Sequence, residues 1–136
     1  MFLKQLSDNE KVNFLKLAYK IVLSDGDYAK EEKDIISQYV FEMELIVDID
    51  NLEVDESEDV LIRSFSTTPR DVIKKIFIEL LSLALNDKMY KPEEERIIKN
   101  FMAEYELDNM FHDNARDWII RLNNLYNELS DLINDV

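Results

Sequence analysis

The sequence predicts an all-α protein, a compact bundle of six or seven helices built around two helix–loop–helix repeats related by a pseudo-twofold. Three observations lead there. A block recurs without a gap: Leu23, Asp25, Tyr28, Glu31, Glu32, Ile35 and Ile36 return 62 residues later as Leu85, Asp87, Tyr90, Glu93, Glu94, Ile97 and Ile98. Carried outward, the same offset pairs Leu15 to Leu45 with Phe77 to Leu107, and Glu42, Glu44 and Leu45 recur as Glu104, Glu106 and Leu107. A fixed-period repeat is the sign of a duplicated supersecondary unit. Second, one Gly and two Pro leave little material for the tight turns of an all-β fold. Third, Leu, Glu, Lys and Ile dominate, and the apolar residues recur at helical spacing.

Ser7 and Glu10 form a capping-box pattern, so a first helix begins near Asp8. Phe14, Leu15, Leu17, Ala18, Ile21 and Val22 are its buried stripe, and Lys11, Lys16 and Lys20 are expected in solvent. Asp25-Gly26 stops it, since Gly takes the left-handed geometry that ends helices. A second helix starts around Lys30-Glu31-Glu32, its acids facing the positive end of the dipole. Ile35, Ile36, Tyr39, Val40, Met43 and Ile46 are its apolar positions. Asp48 to Asp55 reads as an acidic connector, followed by a short helix over Glu56 to Phe65 that uses Val60, Leu61 and Phe65.

Thr68-Pro69-Arg70-Asp71 predicts a helix start with Thr68 as N-cap and Pro69 at the first position. That helix runs to about Asn86 and is apolar nearly all round beyond Glu79, which makes it the expected buried centre. Pro92 opens the next helix, with Ile97, Ile98, Phe101, Met102 and Tyr105 inward and an end near Leu107. Met110 and Phe111 follow a break at Asp108-Asn109 as gap-fillers. The last helix spans about Asp113 to Ile133, with Trp118, Ile119, Leu122, Leu125, Leu129 and Leu132 as its buried stripe.

At 136 residues the chain reads as one domain, 1–136, able to bury roughly two thirds of its unfolded surface. Thirty acids against 16 bases give a net charge of −14. Nucleic acid needs clustered Lys and Arg, so it is excluded as a partner; an anionic membrane is disfavoured for the same reason. Divalent cations or a basic protein surface are the natural counterparts. With no Cys there is no disulfide or thiolate chemistry. The N-terminal residues lack a signal-peptide core, and Leu80 to Asn86 is far short of a bilayer span of about 20 residues, so a cytoplasmic protein without membrane insertion is expected.

Hard cations take several oxygen ligands, and carboxylates supply both charge and geometry. Asp25, Asp27 and Glu31 or Glu32 come from the first loop, and Asp87 with Glu93 or Glu94 from the second. If the repeat brings the loops together, four or more carboxylates share one region, and a cation relieves their repulsion. The alternative stays open, since Glu in a first helical turn is stabilising by about 0.3–1 kcal/mol through the dipole alone. An EF-hand is excluded: a loop from Asp25 has Lys30 and Ile36 where Gly and Glu belong, and one from Asp48 has Glu53 and Asp59. Gly26 is the only Gly, so no phosphate-cradling loop exists, and His112 is the only His. No Gly-x-Ser-x-Gly elbow is present, so catalytic residues are none and a non-enzymatic role is expected. Tyr28 and Tyr90 are read as packing the loops, Trp118 as core, and Met89, Met102 and Met110 as gap-fillers.

The block Leu23-Ser24-Asp25-Gly26-Asp27-Tyr28-Ala29-Lys30-Glu31-Glu32 resembles the Ala-Asp-Gly-x-hydrophobic-x-x-x-Glu signature of the tellurite-resistance protein B (TerB-like) family. Leu81 to Glu94 resembles that family's second copy. Three residues depart from the pattern: Lys88 stands where the family has Gly, and Ala29 and Lys91 where it has a Ser or Thr cap. The resemblance implies a duplicated helical fold, a divalent metal held near the loops by the matched pairs Asp25 with Asp87 and Glu32 with Glu94, and a stress-response assembly beside a membrane-associated protein partner. A metal-free acidic module that recognises a basic protein is the alternative.

Overall fold

The computed structural model describes residues 2–23, 30–47, 52–85 and 91–134, with the backbone alone for 30–32. Among them are one 3-10 turn, Leu3–Gln5, six α-helices and no strand. The helices are α1 Asp8–Leu23, α2 Lys30–Glu42, α3 Glu58–Arg63, α4 Arg70–Ala84, α5 Pro92–Glu104 and α6 Asn109–Asn134. The chain forms two compact units, Met1–Glu106 and Leu107–Val136.

In the first unit, α1 starts where its capping box places it. Ser7 N donates to Glu10 Oε1 (2.8 Å), and Glu10 N donates to Ser7 Oγ (3.3 Å). The whole predicted stripe, Phe14 to Val22, is buried. α1 packs against α2, α3, α4 and α5, which makes it the common partner of the unit. Its lysines are less solvated than expected: Lys16 Nζ lies 2.7 Å from Glu56 Oε1 and is only partly exposed.

α2 ends without glycine. Glu44 takes a left-handed φ of 57°, Glu44 N donates to Phe41 O (3.1 Å), and Leu45 N donates to Val40 O (3.0 Å). This is a Schellman closure, which needs one left-handed residue and accepts a non-Gly one at a cost of about 1–2 kcal/mol. The chain turns away there, so Ile46, expected on the buried stripe, is fully exposed. α5 ends the same way: Glu106 has φ 53° and its N donates to Ala103 O (3.5 Å). Glu44 and Glu106 are 62 residues apart, as are the starts and the ends of α2 and α5.

Part of the acidic connector, 48–51, lies outside the described residues. α3 is shorter than predicted; Ser57 Oγ caps it by accepting from Val60 N (3.2 Å). Leu61, Ile62 and Phe65 are buried while Val60 is exposed. The predicted Thr68 cap of α4 is not made. Pro69 is the capping residue, and Thr68 Oγ1 donates instead to Glu10 Oε2 (2.6 Å). An ionised acceptor makes the stronger bond. The second half of α4 is the buried centre, as its all-round apolar surface requires, with Leu80 and Leu81 inaccessible. Glu79 is buried with them at 6% exposure and accepts from Phe2 N (2.9 Å).

Phe101 of α5 gathers the aromatic core: ring centroids of Phe65, Phe77 and Tyr105 lie 6.2, 6.1 and 4.8 Å from its own. Tyr105 also joins α5 to α3. Its hydroxyl donates to Ile62 O and accepts from Phe65 N (3.1 Å). Arg70, at the start of α4, donates to Tyr105 O (2.9 Å) and Glu106 O (3.1 Å), placing a cation at the negative end of α5.

The second unit is α6. It begins four residues earlier than predicted because Asp108 Oδ1 accepts from Phe111 N (2.8 Å), a cap hidden in what reads as a break. Its stripe is not uniformly buried. Ala115 and Ile119 are buried, but Trp118, Leu125, Leu129 and Leu132 are exposed, so Trp118 is not the core residue its spacing suggests. Met110 is exposed as well and fills no gap.

Candidate functional site

The two acidic loops join α1 to α2 and α4 to α5. Asp25, Asp27 and Asp87, together with Tyr28, Met89 and Tyr90, lie outside the described residues. Glu31 and Glu32 occupy the first turn of α2, and their side chains are outside the description. Glu93 and Glu94 occupy the first turn of α5, Glu93 exposed and Glu94 partly buried. Glu94 Oε1 accepts from Lys91 N (3.4 Å), reaching back over the helix start. A Ser or Thr at position 91 would return that bond through its hydroxyl oxygen, whereas an ammonium can only donate.

Do these residues suit a hard cation? All seven candidates carry carboxylates, the donor type such ions take. Glu94 has one oxygen engaged in capping, and Glu93 is open to solvent. Among the described residues, no group of three or more His, Asp or Glu is placed to hold a metal. The carboxylates that would complete one belong to the loop residues and to Glu31 and Glu32. What the structure describes is the pair of packed helices flanking each loop, α1 with α2 and α4 with α5.

A second polar region was not legible in the sequence. Lys20 of α1, Ser57 before α3, Glu58 and Asp59 of α3, and Arg96 and Asn100 of α5 line an open cleft of about 490 Å³. Arg96 Nη2 contacts both oxygens of Glu58, at 2.9 and 3.2 Å. Alongside, the hydrogen bond from Lys16, with help from Lys20, holds the Glu56 carboxyl below the usual range. Glu56 Oε2 is shielded and has no hydrogen-bond partner among the described residues. The partners Lys16 and Glu56 are 40 residues apart in sequence and Glu58 and Arg96 are 38 apart, which is why no local motif announces them. Cation and carboxylate neutralise each other in pairs, so the cleft works as a clamp of α3 onto α1 and α5.

His112, the only His, sits in the first turn of α6 with Nδ1 2.9 Å from Asp113 Oδ1. That bond holds the Asp113 carboxyl below its ordinary value, with Arg116 adding to it. It is a local contact within one helix turn. Among the described residues, no helix is long and apolar enough to cross a membrane. Compared with known proteins, the chain matches no family model, no curated sequence and no solved structure.

Proposed function

We propose that the chain is a non-enzymatic, TerB-like helical module that binds a divalent metal ion at its two acidic interhelical loops and acts in a cytoplasmic stress-response assembly. Asp25, Asp27, Glu31 and Glu32 of the first loop and Asp87, Glu93 and Glu94 of the second would hold the ion. The metal would neutralise carboxylates that otherwise repel, and so link the two hairpins across the proposed pseudo-twofold. One observation carries this reading. The helices after the two loops begin and end 62 residues apart, and each closes on a left-handed Glu, which supports reading the two loops as copies of one unit. The assembly would include a protein partner, membrane-associated in the manner the family resemblance implies.

The test is calorimetric titration of chelator-stripped protein with calcium, magnesium, manganese and zinc. Saturable binding is expected. It should vanish in Asp25→Asn/Asp87→Asn with helical content unchanged, and the melting temperature should rise with ion concentration in the parent alone. A metal-free acidic interaction module is the second reading, favoured by Glu94, whose bond to Lys91 N already gives that carboxylate a structural role. No heat from any ion, with an unchanged melting temperature, would select it.

A further inference from the structure

The N-terminal turn is held by residues far along the chain. Leu3–Gln5 is a single 3-10 turn, closed by bonds from Gln5 N to Phe2 O (3.1 Å) and from Leu6 N to Leu3 O (3.3 Å). Residues three apart eclipse in such a turn, and so short a piece has little stability of its own. Leu3 and Leu6 fall on one side and are buried, at 1% and 6% exposure. Phe2 and Gln5 fall on another, where Lys75 of α4 serves both. Its Nζ lies 5.8 Å from the Phe2 ring centre and donates to Gln5 Oε1 (2.7 Å). Phe2 N donates to Glu79 Oε1 (2.9 Å), the one buried carboxylate among the described residues. The turn also packs against α2, so it bridges α2 to α4. Tyr39 of α2 feels the same carboxylate: burial, with Glu79 and then Glu42 adding to it, pushes the Tyr39 phenol up.

The start of α1 is secured independently of the turn. Leu6 is extended (φ −74°, ψ 147°), and the Ser7–Glu10 capping box closes on its own residues. Residues 2–6 can therefore lift as a unit about Leu6 and Ser7 with α1 intact. Lifting gives Glu79 to water, so no unpaired charge is left buried. It also returns the chain entropy of five residues, which offsets the loss of two leucine contacts. What remains is a strip between α2 and α4 with the sockets of two leucines and a carboxylate that accepts one backbone N–H. The occupant that fits it is the chemistry the turn itself presents: a backbone N–H, followed by apolar side chains three residues apart.

We propose that residues 2–6 are a displaceable strap, the autoinhibitory occupant of a peptide site between α2 and α4, and that the site takes a short partner segment with the strap's own pattern of one N–H and two apolar side chains. The inference stands on the first unit alone and does not depend on the metal reading. Because the strap is tethered, a partner competes with it, and affinity for a free peptide is reduced by the fraction of molecules in which the strap is closed.

The test has two parts, both on the full chain. Native-state hydrogen exchange of the parent should show the Gln5 and Leu6 amides opening at least about a hundredfold more often than those of Leu80 and Leu81 in α4, with little dependence on denaturant. Exchange of all four only in a common opening would overturn the proposal. In the second part, Leu3→Asp ejects the strap by setting a carboxylate beside Glu79. The acetylated, amidated peptide Phe-Leu-Lys-Gln-Leu should bind this variant at least about tenfold more tightly than the parent, with unchanged circular dichroism. The same peptide N-methylated at Phe has no N–H for Glu79 and should bind at least about tenfold more weakly. No binding to the folded variant, or equal binding of the two peptides, would overturn the proposal. A Leu3→Asp chain that unfolds would make the segment part of the core and overturn it as well. A parent dimer that excess peptide dissociates would give the site to the strap of a second copy, against the partner segment proposed.

Discussion

Replacing Tyr105 by Phe isolates one hydroxyl that holds α5 to the end of α3. The ring stays, so its contact with Phe101 at 4.8 Å is kept. What goes is a donor to Ile62 O and an acceptor for Phe65 N. Each neutral bond is worth about 0.5–1.5 kcal/mol net, and a shielded group left without a partner costs about 1–3 kcal/mol. Tyr105 is only partly buried, so water recovers some of this, and the expected loss is about 2 kcal/mol. For a chain of this size that corresponds to a fall of about 6–10 °C in Tm. Urea unfolding followed by circular dichroism reads it directly. Burial, with a smaller contribution from the Glu104 carboxylate, pushes the Tyr105 phenol up to about 12, against a partial lowering by Phe65 N. A raised folded value means that the hydroxyl's contribution is complete below pH 10 and is lost as pH rises through about 12. The deficit of Tyr105→Phe should therefore shrink over that window, while the five other tyrosines act as a shared background. A variant within about 0.3 kcal/mol of the parent at neutral pH would refute the argument that this hydroxyl joins the two helices.

Three more outcomes are expected. Phe101→Ala empties the centre of the aromatic cluster and should cost about 3–5 kcal/mol by denaturant titration; a loss below 1 would mean the site collapses freely. Glu44→Gly should be neutral or stabilising by about 0.5 kcal/mol and Glu44→Val destabilising by more than about 1 kcal/mol, since the exposed side chain contributes only through its left-handed backbone. Burial raises the Glu10 carboxyl, but hydrogen bonds from Thr68 and Ser7 outweigh it and leave the group below its ordinary value. Its contribution is then present above the usual carboxylate range and lost as pH falls through the depressed value, so the stability gap between parent and Glu10→Gln should close on acidification.

Local signals were legible and distant ones were not. The Ser7 box, Pro92 at the head of α5 and the apolar run after Glu79 each act within one or two helical turns, and the structure places them as read. The Thr68 cap failed because a carboxylate 58 residues away competes for its hydroxyl. The start of the last helix was placed four residues too late because an Asp in a polar stretch serves equally as spacer or cap, and only the Phe111 bond decides. Periodicity put Trp118, Ile119, Leu122, Leu125, Leu129 and Leu132 on one face of α6, but of these only Ile119 is buried, since spacing alone does not fix burial. Of the candidate site, sequence supplied the seven carboxylates, and the structure describes the helices that flank the two loops in the chain, α1, α2, α4 and α5. The clamp joining Lys16, Glu56, Glu58 and Arg96 had no sequence signal, because its partners are brought together only by the fold.

Because α1 is the common partner of α2, α3, α4 and α5, its fate during synthesis is set by the helix made last among them. Roughly 80 residues separate the end of α1 from the end of α5, which at about 5–20 residues per second is about 4–16 s of elongation. For that interval Phe14, Leu17 and Ile21 have only α2, then α3 and then α4 to cover them. The nascent chain therefore shows the apolar face of α1 first and completes its cover last, and crowded ribosomes or slow codons before α5 should lower its soluble yield without touching the stability of the finished protein.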